Sequence, residues 1–279
     1  MSTTVTLAVL FSAFMHAGWN FLIKSSRDKL VDAVALAVAG SVVSACLLPW
    51  LPLPASGAWP WLALSVITHS AYYLALVKSY QHTDLSMAYP LMRGLAPVLL
   101  LAAAPLFGEA RGLPLVAGVS LIGFGLALPI VLGWRAGQRP AAGLLFASGT
   151  ACLIALYTVL DGIGARLSGH VGAYTLWLFF FNSWGFLAVA LRRRGRRLLG
   201  SLVTRGRFAL LGSVLTVGSY GIVLWAMQSA PIPAVAALRE TSVIFAAVLG
   251  ALFLQERMGK LRIVGAALIA CGAALVRLH

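Results

Sequence analysis

The chain has 279 residues, of which 61% are hydrophobic and only 10% are charged, and its mean hydropathy is +0.93. Soluble globular domains carry roughly 25% charged residues, so this composition excludes a water-soluble globular fold. The apolar runs approach about 20 residues, the length at which a helix crosses a bilayer. They do not alternate as membrane strands do. The predicted class is an all-α integral membrane protein.

The formal net charge of +14 belongs to cations that lie in the gaps between apolar runs. They form no continuous stripe, so the charge indicates membrane topology and no nucleic-acid partner. Cys46, Cys152 and Cys271 all lie within apolar runs and lack metal-ligand spacing. We expect them to be packing residues, with no disulfide, no metal and no cofactor.

Apolar runs bounded by proline, glycine or charge predict ten transmembrane helices. The first run begins after residue 4 without a preceding basic segment, so no cleaved signal peptide is expected. The one long polar connection spans 192–207. The predicted spans are 4–23, 31–51, 59–80, 85–107, 112–134, 141–161, 171–191, 207–229, 233–254 and 260–278.

Of the 21 Lys and Arg residues, sixteen fall in the odd-numbered connections or at the span ends beside them, and Arg93 and Arg239 fall deep inside spans. The positive-inside rule then places the odd connections in the cytoplasm and both termini outside.

Comparing the chain with itself at an offset of 147 residues aligns several residues between two halves. Each half has five spans, an odd number, so the second half should insert upside down relative to the first. We predict two inverted five-helix repeats, 1–139 and 140–279, within a single membrane domain. Chance matches between apolar helices are the alternative. The aligned pairs are Tyr73/Tyr220, Gln81/Gln228, Glu109/Glu256, Gly118/Gly265 and Gly125/Gly272.

Several motifs resemble the EamA-type ten-helix transporters of the drug/metabolite transporter superfamily, over essentially the whole chain. The motifs are HAGWNFLIK at 16–24, AYPLMRGLAPVLL at 88–100, GE at 108–109, ALYTVLDGIGAR at 155–166 and FLQER at 253–257. The second connection, LPLPASGAWP, lacks the basic residues often found there in this family.

The resemblance implies a central cavity among helices 1, 3, 4, 6, 8 and 9, with helices 5 and 10 at the periphery. The tenth span carries Ala266, Ala270 and Ala274 at four-residue spacing. Small residues at this spacing let two helix backbones approach, so we expect this stripe to pack against a neighbour.

Ionisable groups at membrane depth cost roughly 2.5 to 3.5 kcal/mol each, so each is a functional candidate. Arg93 is the leading candidate for binding solute, and Tyr89 in the same span is a second candidate. Pro90 and Pro97 in this span can open backbone carbonyls toward a lumen. The alternatives are that Arg93 extends to the cytoplasmic interface or pairs structurally with a carboxylate.

Arg239 and Glu240 occupy the matching depth of the ninth span, and as sequence neighbours they point about 100° apart on a helix. Arg239 is a candidate for binding solute, and Glu240 for carrying a coupling proton. Structural pairing of Glu240 with Arg239 or Arg93 is the alternative.

The remaining candidates for the lining are polar or aromatic residues within spans, and each could instead be a packing residue. Trp225 could also be an interface anchor. We place Asp161 at the outer end of the sixth span, where it could mark the interface. The candidates are His16, Trp19, Asn20, His69, Tyr73, Tyr157, Tyr220 and Trp225.

No GxSxG, HExxH or Walker A motif is present, so we expect no enzyme and no ATP-driven transport. We predict a secondary transporter in the inner membrane, exporting small metabolites or drugs, with an amino-acid-like or organic-anion solute favoured. Its partners would be the solute, the lipid bilayer, and protons or an exchanged solute. An intramembrane enzyme or lipid-handling protein, and a channel or scaffold, are the alternatives.

Overall fold

The computed structural model describes residues 1–26, 28–82, 85–135, 141–195, 197–255 and 259–279, and the fold of this part is helical. Three short 3₁₀ turns lie at 48–50, 56–58 and 104–107. The helices are α1 (Thr3–Lys24), α2 (Lys29–Leu47), α3 (Trp59–His82), α4 (Leu85–Ala103), α5 (Leu113–Arg135), α6 (Ala141–Leu167), α7 (Val171–Arg194), α8 (Arg197–Thr204), α9 (Gly206–Ala226), α10 (Ile232–Arg239), α11 (Ser242–Phe253) and α12 (Lys260–Arg277).

Eight segments of the described part are long and apolar enough to cross a membrane. They correspond to α1, α2, α3, α4, α6, α7, α9, and α10 together with α11, and a shorter apolar stretch, Leu113–Leu128, lies within α5. The chain is therefore a multi-pass membrane protein. Side chains accept the free N–H groups at several helix starts, as Ser2 does from Val5 in α1 and His170 from Ala173 in α7.

The bundle formed by the described helices has two ends. Both termini meet at one of them, where the Met1 amino group donates to the Arg277 carbonyl at 3.3 Å. We call this the termini end. The opposite, basic end carries the connections at 24–29 and 192–207, and there Arg194 pairs with Asp28 at 2.9 Å. The Val31 backbone N–H and the Arg194 guanidinium hold the pKa of Asp28 below its ordinary value.

The 192–207 connection is partly helical because α8 lies within it, an addition to the ten predicted spans. Arg205, just after α8, donates from one nitrogen to both carboxylate oxygens of the fully buried Asp32, at 2.5 and 2.7 Å. The basic connection is thereby held against α2.

Helices α5 and α12 pack closely through glycine, and the predicted alanine stripe is wrong. A Cβ at Gly118 would lie 2.6 Å from the Gly272 carbonyl oxygen, and one at Gly125 would lie 2.9 Å from the Gly265 carbonyl oxygen. The alanine face points the other way, since Ala270 and Ala274 are exposed. The backbones meet where no Cβ separates them.

The three cysteines are free and exposed, so the prediction that they are packing residues is also wrong. Apolar character alone does not show which face of a membrane helix a residue occupies, because lipid and protein interior are similarly apolar. The predicted boundary at 139/140 lies outside the described residues, as do Glu256, the aligned partner of Glu109, and the cationic residues Arg27, Arg139, Arg196 and Arg257.

Candidate functional site: a buried charge cluster

The predicted ninth span is interrupted in its middle. Helix α10 ends at Arg239, two turn residues follow, and α11 begins at Ser242. At the interruption the Glu240 and Thr241 N–H groups bond to carbonyls three residues back, those of Ala237 and Leu238. A break within a membrane helix is tolerated where the backbone is buried in protein or lines a cavity. Here it presents Glu240 to the interior of the bundle.

Arg93 of α4 forms an ion pair with Glu240. Its Nε lies 2.8 Å from Glu240 Oε2, and both side chains are about nine-tenths buried. The Arg93 guanidinium also lies 3.4 Å from the Ser242 hydroxyl. The contact favours the pairing interpretation of Glu240 over a freely titrating carboxylate, because a nearby cation stabilises the charged form of a carboxyl group.

Arg239 has a different environment. Its Nη2 lies 3.2 Å from His16 Nδ1, and its Cζ lies 5.1 Å from the centre of the Tyr220 ring, a cation–π arrangement. Its Nε is buried without a hydrogen-bond partner, and no carboxylate of the described part lies at ion-pair distance from it. We call Arg93, Arg239 and Glu240 the charge cluster. Its two guanidinium groups and one carboxylate give these three residues a net positive charge.

A small cavity of about 20 Å³ lies beside these charges. This volume holds about one water molecule, so a larger solute would enter only if helices move apart. The lining comes from α4, α6, α9 and α10 with the break after it. It consists of Arg93, Ala96, Pro97, Leu100, Ile154, Tyr157, Thr158, Val223, Met227, Ala236, Arg239 and Glu240.

Several predicted lining residues surround this cluster. His16 contacts Arg239, and the Trp19 ring meets the His16 ring edge-on at 4.9 Å. Asn20 donates to the His16 carbonyl at 2.7 Å. His69 stacks on Tyr157 at 4.0 Å.

Three other predicted residues have different positions. Tyr89 lies near the cluster but does not line the cavity, and it is partly exposed. Tyr73 stacks on Phe186 of α7 at 4.9 Å and does not line the cavity. Trp225 is 43% exposed and borders a separate groove of about 550 Å³ between α1, α7 and α9. No ionisable residue lines that groove, so the position of Trp225 favours an interface anchor over a site residue.

Asp161 is the residue that the sequence interpretation misplaced. Helix α6 continues to Leu167, and Asp161 lies inside it with no exposed surface, so its interpretation as an interface marker is wrong. The hydroxyl groups of Tyr174 and Tyr220 donate to its two carboxylate oxygens, at 3.2 and 2.5 Å. In the sequence, Asp161 follows Tyr157 by four residues, which places both side chains on one helix face. This spacing is the sequence signal that Asp161 belongs with the lining residues.

A second set of polar contacts lies at the termini end of the bundle. Arg166, at the end of α6, donates to Glu109 at 2.7 Å and to the carbonyls of Met227 and Ala230 at 2.7 and 3.1 Å. Glu109 also accepts the Ile232 N–H at the start of α10. We call this set of contacts the clasp.

Membrane-length helices around a buried charge cluster define a multi-pass membrane protein with an internal polar site. Residues 141–278 match the model of the EamA-like transporter family. Through this half the chain belongs to that family, which is part of the drug/metabolite transporter superfamily.

A search of curated proteins finds no significant match. Among solved structures, one crystal structure of a protein is similar over 99% of this chain and 96% of its own, with a TM-score of 0.69 and 18% sequence identity. At this identity the likeness describes the fold alone.

Proposed function

We propose that the protein is a secondary transporter that exports a small organic solute with an anionic group, such as an amino acid or organic acid, across an inner membrane. Arg239 carries this proposal. A buried guanidinium cannot lose its proton at any useful pH, so at membrane depth it needs an anion, carbonyl groups or water. Glu240 is already paired with Arg93, which leaves Arg239 to bind the carboxylate of a solute.

Inverted repeats and ten spans are the architecture that we propose for this transport. Arg93 and Glu240 lie 147 residues apart, the offset of the predicted repeat, and they pair with each other. The contact of Gly118 with Gly272 likewise becomes that of Gly265 with Gly125 when each residue is replaced by its repeat partner. Such reciprocal contacts are expected about a two-fold axis, which supports two related halves.

Alternating access requires one end of the bundle to close while the other opens. The termini end is tightly packed, with Leu62, Leu100, Ala226 and Ile232 at most 3% exposed. Toward the basic end, residues on all sides of the helices are partly exposed, at 18–23 in α1, 69–73 in α3 and 243–247 in α11. Together with the positive-inside prediction, this contrast supports a conformation that loads solute from the cytoplasm.

The experiment begins with a thermal-shift screen of the purified full chain against amino acids, organic acids and cationic drugs. A ligand that binds only the folded state raises the melting temperature by mass action. We expect stabilisation by solutes that carry a carboxylate. Each stabilising solute is then tested for flux in proteoliposomes, with protein-free liposomes as the control. Stabilisation by cationic drugs alone would contradict the anionic preference, and absence of flux for every binder would contradict transport.

The same preparation tests the alternative of an intramembrane enzyme. Incubating detergent-solubilised protein with bilayer phospholipids should leave them unchanged in mass. Turnover of a lipid that stops on substitution of His16, His69 or Glu240 would replace transport with catalysis.

A further inference from the structure

Asp161 and Glu240 are two buried carboxylates with opposite surroundings. Glu240 has the Arg93 guanidinium at 2.8 Å. Asp161 has tyrosine hydroxyl groups as its hydrogen-bond partners, and no cation of the described part lies at ion-pair distance from it. Burying a carboxylate without a cation is costly, and taking up a proton removes that cost. Of the two, Asp161 is the carboxylate that can bind and release a proton without breaking an ion pair.

A chain of polar groups leads from Asp161 toward the more exposed part of the bundle. Ser65 of α3 is fully buried and lies beside Asp161. His69 Nδ1 lies 3.1 Å from the Ser65 hydroxyl and 3.0 Å from the Ser65 carbonyl oxygen, so its proton is shared between the two. His69 is partly exposed, one turn further toward the basic end. Histidine is the side chain whose ordinary titration range includes physiological pH, so it is suited to exchange protons with water.

The carboxylate is also connected to the charge cluster by shared side chains. The Tyr220 hydroxyl donates to Asp161, and the face of the same ring lies 5.1 Å from the Arg239 guanidinium carbon. Tyr157, on which His69 stacks, lines the central cavity. A change in the charge of Asp161 therefore acts on residues that hold Arg239 and shape the cavity.

We propose that Asp161, reached through His69 and Ser65, is a proton-binding site whose occupancy is coupled to the solute bound at Arg239. A proton binds His69 Nε2, the Nδ1 proton passes to Ser65 Oγ, and the proton of that hydroxyl passes to an Asp161 oxygen. One proton enters, one carboxylate is neutralised, and release follows the reverse order. The coupling rests on the transport function proposed above, whereas the proton site does not.

Other ionisable groups around Asp161 have their own contacts. Tyr174 of α7 and Tyr220 of α9 donate to it, and His69 of α3 is reached through Ser65. The guanidinium of Arg239 contacts Tyr220 and His16, and that of Arg93, on α4, contacts Glu240 and Ser242. Of the two carboxylates in this set, Asp161 is thus the one whose proton uptake separates no oppositely charged pair.

Infrared difference spectroscopy on the detergent-purified full chain tests the site with the proton itself as the ligand. Between about pH 8 and about pH 5, a range in which an ordinary histidine titrates, we expect a carbonyl band from a protonated carboxylic acid. The band should disappear in Asp161→Asn and persist in Glu240→Gln, the matched buried carboxylate. Persistence of the band in Asp161→Asn, its loss in Glu240→Gln, or its absence from the wild type would overturn the proposal.

Tyr220→Phe is the second variant, for the case in which Asp161→Asn does not fold. It keeps the carboxyl group but removes one of its hydrogen bonds, so the band should move to higher frequency; an unmoved band would overturn the assignment. Proteoliposomes containing a pH dye separate the two proposals. Solute flux without proton movement would overturn the coupling and leave transport standing, whereas an Asp161-dependent band without any solute flux would support the proton site and contradict transport.

Discussion

Arg93 and Arg239 are both buried arginines, but their partners differ, and so should the consequences of replacing them. Arg93→Gln leaves the Glu240 carboxylate buried without its cation. Loss of one partner of a buried pair costs about 3 to 5 kcal/mol, whereas replacing both partners is often nearly neutral. We expect Arg93→Gln to lower the melting temperature in detergent strongly, and Arg93→Gln with Glu240→Gln to recover most of the loss. A double variant no more stable than the single one would contradict the pairing.

Arg239→Gln should have the opposite profile. No carboxylate of the described part pairs with Arg239, so its removal separates no ion pair and the melting temperature should change little. Binding of an anionic solute should weaken at least tenfold, since charge-assisted contacts with a carboxylate are among the strong hydrogen bonds. Thermal-shift titration with a solute from the screen measures both quantities. Unchanged affinity would move the solute site away from Arg239.

The charged residues of the site can be predicted from the sequence, but their partners cannot. Arg93, Arg239 and Glu240 stand out because a charge in an apolar run is expensive. Which carboxylate forms an ion pair with which guanidinium depends on how the helices cross and on the break after α10. Neither feature can be predicted from local sequence. The charge of Asp161 predicts the end of the sixth span there, but the helix continues to Leu167 and buries the carboxylate.

Among helices, the contact between α5 and α12 depends on absent side chains. A Cβ at Gly118 would lie 2.6 Å from the Gly272 carbonyl oxygen and 2.9 Å from the Val276 nitrogen, and backbone atoms cannot rotate away. Overpacking of this kind costs about 1 to 3 kcal/mol. We therefore expect Gly118→Ala to lower the melting temperature. Solute affinity should be retained, because neither α5 nor α12 lines the central cavity.

Gly149→Ala is the matched control, since a Cβ at Gly149 of α6 would meet nothing within 4 Å. Alanine is the better helix former by about 1 kcal/mol, so this variant should be as stable as the wild type or more stable. Equal losses in the two variants would mean that helix packing at Gly118 is not the cause.

Most helix positions followed from the sequence because span length is set by the bilayer. The packing face did not, because the predicted stripe Ala266, Ala270 and Ala274 and the glycine face that includes Gly265 and Gly272 are both small-residue patterns on the same helix. The sequence spacing indicates small residues in general, whereas the contact between α5 and α12 is made at glycine, the smallest of them.

For the whole molecule, the family and the all-helical class were recognisable from motifs and hydropathy, but the conformation was not. Which end of a transporter is closed depends on small free-energy differences between alternative packings of one sequence, and these leave no local pattern. Here the termini end is closely packed, and the clasp joins the turn after α4 to α6 and to the turn between α9 and α10.

The clasp should control opening of the termini end. Glu109→Gln weakens both the contact with Arg166 and the one with the Ile232 N–H, so the open state should become more populated. Ile232 reports this change, since its side chain has no exposed surface and packs against Gly162 of α6. In a background with the three native cysteines replaced by serine, an Ile232→Cys substitution should react with a maleimide several-fold faster when Glu109→Gln is added.

Asp28→Asn is the control for that measurement, because it weakens an ion pair at the basic end instead. Asp28 and Arg194 are both substantially exposed, so their pair contributes little to stability, and asparagine can still cap α2. The labelling rate of an Ile232→Cys protein should then stay at its background value. If Asp28→Asn accelerates labelling as much as Glu109→Gln does, the reagent is reporting general loosening of the bundle; if neither does, the clasp does not hold the termini end closed.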